Sequence, residues 1–258
     1  MIGWADFEVR NESGERRRVR LSYGQKERIV ILPGESFYSD VIKEEAICFS
    51  PGDHIRIEFF FEFAEEITSG CQTWSGKSFS TIFYETDSQG NLKGKEKNSQ
   101  EQFPYIAADI NRCDLLVGLR AIEALFIDKP RKLAFFGDSI THMGYYTDAC
   151  DVIFRERHAG EVIYSNHGLG GNRLLHNASY VVNQLGHGQV FGPAGIHRFA
   201  SSVFGENRPD DVLILEGIND IMHPSYFGQL DTVVNTEELI DGMTCLVDIV
   251  KKNGARPW

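Results

Sequence analysis

The spacing of apolar and polar residues changes near residue 130. Before that point, short runs rich in Val, Ile, Phe and Tyr are separated by Gly, Pro, Asp and Ser. These runs are "RVRLSYG", "ERIVILPG", "DHIRIEFFFEF", "KSFSTIFYET" and "LLVGLRAIEALF". β-Branched and aromatic residues favour strands, and frequent turn residues favour antiparallel connections. We therefore predict an antiparallel, jelly-roll-like β-sandwich over residues 1–128, with a long polar loop at 86–102.

After a short linker around "IDKPR", the chain alternates between strand and helix patterns. The runs "KLAFF", "EVIYS" and "DVLILE" are short and apolar, and each precedes a polar or Gly-containing turn. Continuous apolar runs of this length are typical of buried strands in a parallel sheet. Functional groups of such sheets lie at the carboxyl ends of the strands. We predict an α/β domain over residues 129–258.

The clearest predicted helix lies near the end of the sequence. Asn235 and Glu238 have the spacing of a capping box, and Gly254 supplies a stop. Between them, apolar residues recur every three or four positions on one face: Leu239, Ile240, Met243, Leu246, Val247 and Val250. The pattern predicts an amphipathic helix that buries this face.

Three polar turns follow the three predicted strands. "FFGDSIT" places Ser139 after the first strand, "NHGLGGNR" places Gly171 after the second, and "LEGIND" places Asn219 after the third. A serine hydrolase needs a hydroxyl on a tight turn and hydrogen-bond donors that face the developing oxyanion. Because parallel strands bring their carboxyl ends to one edge, these three groups can converge there. The sequence predicts a serine nucleophile with an oxyanion hole.

The motifs "GDSIT", "GLGGN" and "EGIND", in this order and spacing, resemble the first three blocks of the SGNH (GDSL) hydrolases. The stretches "ILPGESFYSD", "TWSGKSFSTIFY", "GLGGNRLL", "HRF" and "VLILEGINDI" resemble an esterase subgroup with an N-terminal β-sandwich. The resemblance implies that Ser139 is the nucleophile and that Gly171 and Asn219 form the oxyanion hole. It also implies a partial flavodoxin-like, three-layer α/β/α domain and a short acyl ester, carried by a carbohydrate or another alcohol, as substrate.

One block of that family has no match in the chain. The family's Asp-x-x-His block supplies the general base and its orienting carboxylate, and this spacing does not occur after Asn219. The resemblance therefore implies an internal piece of a longer protein, with three of the usual five sheet strands. In the family's 2-1-3-4-5 strand order, "DVLILE" is central and would keep an unpaired apolar edge that favours self-association. We expect the general base to come from outside this chain.

Polar residues beside the three motifs are candidates for the rim of the site: Asp138, His142, Asn172, Arg173, Asp220 and His223. Asp138 is expected to hold its turn by accepting backbone N–H groups, and Arg198 of "HRF" to pair with a carboxylate. The histidines that flank the blocks have no carboxylate at a recognisable spacing, and structural or rim roles are favoured for them: His142, His167, His176 and His223.

Composition limits the partners of the protein. A formal net charge of −11 disfavours nucleic acids and anionic membranes, which are bound by clustered Lys and Arg. No stretch has the roughly 18 apolar residues of a membrane span, and the N-terminus lacks a signal-peptide pattern. Five cysteines without a Cys-x-x-Cys pair support neither a disulfide framework nor a zinc site. We expect a cytoplasmic protein without metal or cofactor, or a secreted one if a signal precedes Met1.

Two other functions remain open beside ester hydrolysis by Ser139. "GLGG" after a strand suggests dinucleotide binding, but Arg173 stands where that fingerprint requires Gly or Ala, and no acidic residue follows at the expected position. The stronger alternative is a non-catalytic carbohydrate-binding or interaction protein, or an inactive fragment of the esterase, because the general base is missing. Substitution of Ser139 distinguishes these functions.

Overall fold

The structure is a computed structural model that describes most of the chain. The described residues are 2–32, 34–61, 118–178, 191–206 and 208–258, with the backbone alone of 71–73, 85–86, 92–93 and 114–116. The chain divides into two compact units, one of residues 1–72 and 79–119 and one of residues 73–78 and 120–258. Among the described residues, no helix is both long and apolar enough to cross a membrane.

The first unit contains a three-stranded antiparallel sheet of β1 (Ile2–Arg10), β2 (Arg16–Arg20) and β3 (His54–Phe61), in the order β2-β1-β3. One face is apolar and packs on the segments that follow, with a core of Ile2, Ala5, Phe7, Val9, Ile29 and Ile47. On the other face, Asp6 is buried and accepts hydrogen bonds from Arg18 and Arg20 of the neighbouring strand. The buried carboxylate on this face is therefore paired with arginines of the same face.

Four shorter strands follow along the chain: β4 (Cys71–Thr73) beside β7 (Asp114–Leu116), and β5 (Glu85–Thr86) antiparallel to β6 (Leu92–Lys93). The prediction of antiparallel strands is confirmed for β2 and β3, and β1 is an additional strand that was not predicted. "ERIVILPG" is not a strand and contributes only an isolated bridge from Ile29 to Ile2, and residues 118–126 are irregular. "KSFSTIFYET" and the 86–102 loop lie largely outside the described residues, so the sandwich stays a prediction.

The second unit is a parallel α/β sheet. It contains β8 (Arg131–Gly137), α1 (Ser139–His142), α2 (Tyr145–Arg157), β9 (Val162–Gly168), α3 (Gly195–Phe204), β10 (Asp211–Leu215), α4 (Ile218–Tyr226), a 3₁₀ turn (Leu230–Thr232), α5 (Thr236–Lys252) and β11 (Arg256–Pro257). The strand order is β11-β10-β8-β9, and all pairs are parallel. The three predicted strands are confirmed.

Helices cover both faces of this sheet. On one face, β8 and β10 pack against α3 and α5 through a core that includes Phe136, Phe199, Val212, Leu246 and Val250. On the other face, the Phe135 ring meets Tyr146 of α2 and Tyr164 of β9 edge-on, with centroids 5.6 Å apart in each case. Alternate residues of one strand thus face opposite layers, which explains why "KLAFF" is continuously apolar.

The prediction that "DVLILE" keeps an unpaired edge in a three-stranded sheet is wrong. β11 adds a fourth strand along β10, and the pairing continues through Trp258, whose amide donates to the Val212 carbonyl (2.9 Å) and whose carbonyl accepts from the Ile214 amide (3.1 Å). β10 therefore has neighbours on both sides and lies inside the sheet. Self-association through a sheet edge stays a prediction, but an unpaired edge of β10 no longer supports it.

The C-terminal helix follows its sequence pattern closely. α5 begins after Asn235, and both hydrogen bonds of the Asn235–Glu238 capping box are present, at 2.9 and 2.8 Å. Leu246 and Val250 are fully buried, whereas Ile240, which the pattern assigned to the buried face, is 58% exposed. Ile240 is the fifth residue of α5 and lies about 120° around the helix axis from Leu246, outside the buried stripe.

Asp211 joins three strands at the end of the sheet opposite the predicted site. Its carboxylate accepts hydrogen bonds from Arg131 of β8, from Arg256 of β11 (2.8 Å) and from the Trp258 indole (2.9 Å). Burial alone would raise the pKa of Asp211, but these donors lower it to about 2. The resulting stabilisation is present above the unfolded-state pKa near 3.8 and is lost as the pH falls toward 2.

We predict that Asp211→Ala lowers the free energy of unfolding by about 2–3 kcal/mol, because three donors to one buried carboxylate lose their acceptor. Urea denaturation at pH 7 measures the change. Asp248→Ala on the exposed face of α5 is the matched control and should change stability by less than about 0.5 kcal/mol. Equal stabilities of the two variants would contradict the role of Asp211.

Candidate active site

Ser139 lies on a tight turn at the carboxyl end of β8. It is the first residue of α1, and Asp138 is the N-cap, whose carboxylate accepts a hydrogen bond from the Ile140 amide (2.9 Å). A Cβ at Gly137 would lie 2.2 Å from the Leu215 carbonyl oxygen, so only glycine fits there. Asp138 is buried and Ser139 is half-buried. The expected capping role of Asp138 is confirmed, and the turn leaves Ser139 partly accessible.

Gly171 lies in the loop after β9. Its φ of +71° is in the left-handed region, and a Cβ there would lie 2.2 Å from the Phe191 ring, so both backbone shape and space require glycine. The next residue, Asn172, is fully buried and donates through its side-chain amide to the carbonyls of Phe191 and Pro193, both at 2.8 Å. The loop is therefore held in place directly after Gly171.

Asn219 lies in the first turn of α4, after β10. Its side-chain amide donates to the carbonyl of Asn172 (2.8 Å), which directly follows Gly171. Asp220 strengthens the same connection because its carboxylate accepts from the amides of Leu174 (2.5 Å) and Leu175 (3.0 Å). The second and third motifs are thus joined by hydrogen bonds between the loop after β9 and the start of α4.

Strand register brings the three loops to one edge of the sheet. Gly137 is paired with Gly168 of β9 on one side and with Leu215 of β10 on the other, so the three strands end together. The Leu169 amide continues the pattern by donating to the Gly137 carbonyl (2.9 Å). The turns that carry Ser139, Gly171 and Asn219 therefore start from adjacent points.

Arg198 of α3 contacts residues at or next to the carboxyl ends of β8, β9 and β10. Its guanidinium donates to the carbonyls of Gly137 (3.0 Å) and His167 (2.9 Å) and to the side-chain oxygen of Asn172 (2.7 Å). It also lies 4.1 Å above the centre of the Phe136 ring and is only 10% exposed. A carboxyl group lies near Arg198 as expected, that of Glu216 at 3.6 Å directly after β10, but this distance is too long for a hydrogen bond.

Glu216 is a buried carboxyl group that sequence reasoning missed. Its side chain is fully buried, and neither carboxylate oxygen has a hydrogen-bond partner among the described residues. Burial raises its pKa to about 9, with repulsion from Asp138 and Asp220 adding to the effect and attraction to Arg198 opposing it. The sequence did contain a signal for this residue: a glutamate directly follows the buried run "DVLIL", and a charged group at such a position needs a partner.

The candidate rim residues are mostly interior groups. Five of the six are less than 8% exposed, namely Asp138, Asn172, Arg173, Asp220 and His223, and their place at the rim of a site stays a prediction. Arg173, for example, donates to the side chain and the carbonyl of Thr232, both at 2.7 Å. The side chains of Asp138, Asn172, Arg173 and Asp220 are turned inward because they satisfy backbone groups of the loops.

The histidines near the site differ in what they contact. The Nδ1 atom of His142 accepts from the Gly170 amide (2.9 Å), and the Nε2 atom of His167 is 2.8 Å from the Ser165 hydroxyl. His223 is buried and its ring lies against Phe227, with ring centres 5.0 Å apart.

Burial lowers the pKa of His167 and His223 to about 4, and a nearby arginine adds to the effect in each case. Both are therefore weak bases at neutral pH. His176 is half-buried in the loop of the second motif. In the part of the chain that the structure describes, no group of three or more His, Cys, Asp or Glu residues could hold a metal ion.

No protein-family model and no curated protein sequence matches the chain. Two solved structures are similar to part of it, both with a TM-score of 0.37. One is an acetyl xylan esterase, at 21% identity over 49% of this chain and 55% of that one. The other is an alpha/beta hydrolase enzyme from the metagenome of Lake Arreo, Spain, at 22% identity over 48% and 56%. The chain spans just over half the length of these proteins.

We predict that Glu216→Gln flattens the pH dependence of stability. Because its folded-state pKa is raised, the contribution of Glu216 is fully present below about 4.5 and is lost as the pH rises toward about 9. Wild-type protein should therefore lose stability between pH 5 and pH 9, and the variant should lose less. Urea denaturation across this range measures both slopes.

The control for this experiment is Glu237→Gln, an exposed glutamate in the first turn of α5. Its slope should match that of wild-type protein. Parallel curves for Glu216→Gln and wild-type protein would show that Glu216 does not titrate differently in the folded and unfolded states.

Proposed function

We propose that this chain supplies the nucleophile and the oxyanion hole of a serine esterase of the SGNH type. Ser139 attacks the acyl carbonyl, and the amides of Ser139 and Gly171 with the Asn219 side chain stabilise the oxyanion. The observation that carries the proposal is the bond from Asn219 Nδ2 to the Asn172 carbonyl (2.8 Å), because it fixes the two oxyanion-hole motifs to each other.

The geometry supports these roles in two further ways. A side-chain amide carries two N–H groups, so Asn219 can donate one to Asn172 and the other to an oxyanion. Ser139 is partly accessible on a turn whose glycine and N-cap are both fixed by contacts. Donors that are already held in place need little reorganisation when charge develops, which is the source of oxyanion-hole catalysis.

The general base is proposed to come from outside this chain. A base works best when its pKa is near the working pH, and the pKa values of His167 and His223 are lowered to about 4 by burial. The substrate is proposed to be a short acyl ester, with a carbohydrate among the candidate alcohols, on the strength of the SGNH resemblance alone. Removal of the base lowers both acylation and deacylation rates, on the order of 10⁴-fold or more.

We predict that an activated acetate ester slowly acetylates Ser139 and that the acetyl group then remains, because deacylation also lacks its base. Mass spectrometry of p-nitrophenyl acetate-treated protein should show one acetyl group on the peptide that contains Ser139. Ser139→Ala should lack it, and Asn219→Ala should acquire it at least tenfold more slowly. Steady-state hydrolysis by wild-type protein should not exceed that of Ser139→Ala.

Two outcomes would contradict this proposal. If the acetyl group is distributed over lysines and is equal in wild-type protein and Ser139→Ala, Ser139 is not a nucleophile, and a non-catalytic binding protein is favoured. If wild-type protein shows fast, Ser139-dependent turnover, a histidine of this chain or of a second copy acts as the base. His142 and His223 would then be the next residues to substitute.

A further inference from the structure

α4 has its polar and apolar faces reversed relative to an ordinary surface helix. Three of its four buried residues are polar and belong to the candidate site, Asn219, Asp220 and His223, and the fourth is Pro224. Its exposed face is largely apolar, with Ile218 (42% exposed), Ile221 (63%), Met222 (39%) and Tyr226 (72%) beside the polar Ser225. Surface helices normally bury such a stripe, so an exposed one needs a specific explanation.

The apolar face begins at the residues proposed to act on the ester. Ile218 directly precedes Asn219, and Ile140, which is 44% exposed, directly follows Ser139 on α1. The two polar groups that would contact the ester carbonyl are therefore each adjacent in sequence to an exposed isoleucine. From Ile218 to Tyr226 the helix axis extends about 12 Å, much farther than an acetyl group would reach.

The size of this surface favours a small apolar group over a second protein. Four partly exposed side chains on a nine-residue helix offer an area on the order of a few hundred Å². Each partner in a stable protein interface buries about 800 Å². The surface is thus too small to hold a second copy by itself, but it is ample for an alkyl or aryl group.

We propose that the exposed face of α4, together with Ile140, binds an apolar alkyl or aryl group of the ester substrate. This inference rests on the proposed function for the identity of the ligand as an ester. The apolar group can belong to the acyl part or to the alcohol part of the ester, because both parts are bonded to the carbonyl carbon that Ser139 attacks. Ile221 and Met222 are then residues that determine specificity, and they contribute by burying apolar surface on binding.

The test measures binding on the wild-type chain, so that it does not depend on turnover. Ile δ1 and Met ε methyl groups are isotope-labelled and observed by NMR during titration with hexanoate, which mimics the acyl side, and with 1-hexanol, which mimics the alcohol side. Acetate is the short-chain control. Saturable shifts are expected at the methyl groups of Ile140, Ile218, Ile221 and Met222 with at least one hexyl compound, and none with acetate.

A matched isoleucine provides the internal reference. Ile153 lies in the third turn of α2 with 45% exposure, close to that of Ile140 and Ile218, and its methyl group should not shift. Ile221→Ser should weaken binding about fivefold through loss of one apolar contact, whereas Ile153→Ser should leave it unchanged. Ser139→Ala should bind as wild-type protein does, because the apolar face does not include the nucleophile.

The outcomes separate this inference from the proposed function. Saturable shifts without acetylation of Ser139 would support an apolar ligand site and refute the esterase. Acetylation of Ser139 without saturable shifts, or with equal shifts at Ile153, would support the nucleophile and refute the apolar site. A concentration-dependent dimer in sedimentation experiments that Ile221→Ser dissociates would also refute it, because a second copy would then cover this face.

Discussion

The guanidinium of Arg198 is the interaction on which the arrangement of the candidate site depends. It is the single described group that reaches the end of β8, the end of β9 and the loop of the second motif at once. The carbonyls that it binds, those of Gly137 and His167, belong to the last two residue pairs between β8 and β9, at the edge of the sheet that carries the candidate site. One planar donor with several N–H groups satisfies these acceptors together, which an ammonium group cannot do with the same geometry.

A buried cation of this kind requires compensating charge, and the surrounding residues provide more than is needed. Asp138, Asp220 and Glu216 are three buried carboxyl groups, and Arg173 and Arg198 are two buried guanidinium groups. Asp138 and Asp220 accept backbone N–H bonds, whereas Glu216 accepts none. If all five were ionised, the cluster would carry one excess negative charge. A proton on Glu216 removes that excess, so charge balance and hydrogen bonding agree on which carboxyl group is neutral.

The sequence predicted the parallel strands, the C-terminal helix and the loops of the site because these depend on local patterns. It failed where a distant partner decides the structure. "ERIVILPG" has strong strand propensity, yet Val30 and Leu32 are more than half exposed and find no strand to pair with among the described residues. β1 was missed because Asp6 interrupts its apolar pattern, and Asp6 is buried only because Arg18 and Arg20 reach across from β2. No local pattern shows that Arg198 reaches Gly137, 61 positions earlier.

The reversed faces of α4 follow from the same inward network. Asn219 must point toward the Asn172 carbonyl and Asp220 toward the Leu174 amide, and these two bonds fix the rotation of the helix about its axis. Successive residues are about 100° apart on a helix, so Ile218, Ile221 and Met222 then have to face outward. The apolar surface is therefore a geometric consequence of how Asn219 is positioned. The contacts that orient Asn219 and Asp220 do not depend on the apolar character of the outward residues, so the choice of isoleucine and methionine there is independent of the network that positions the helix.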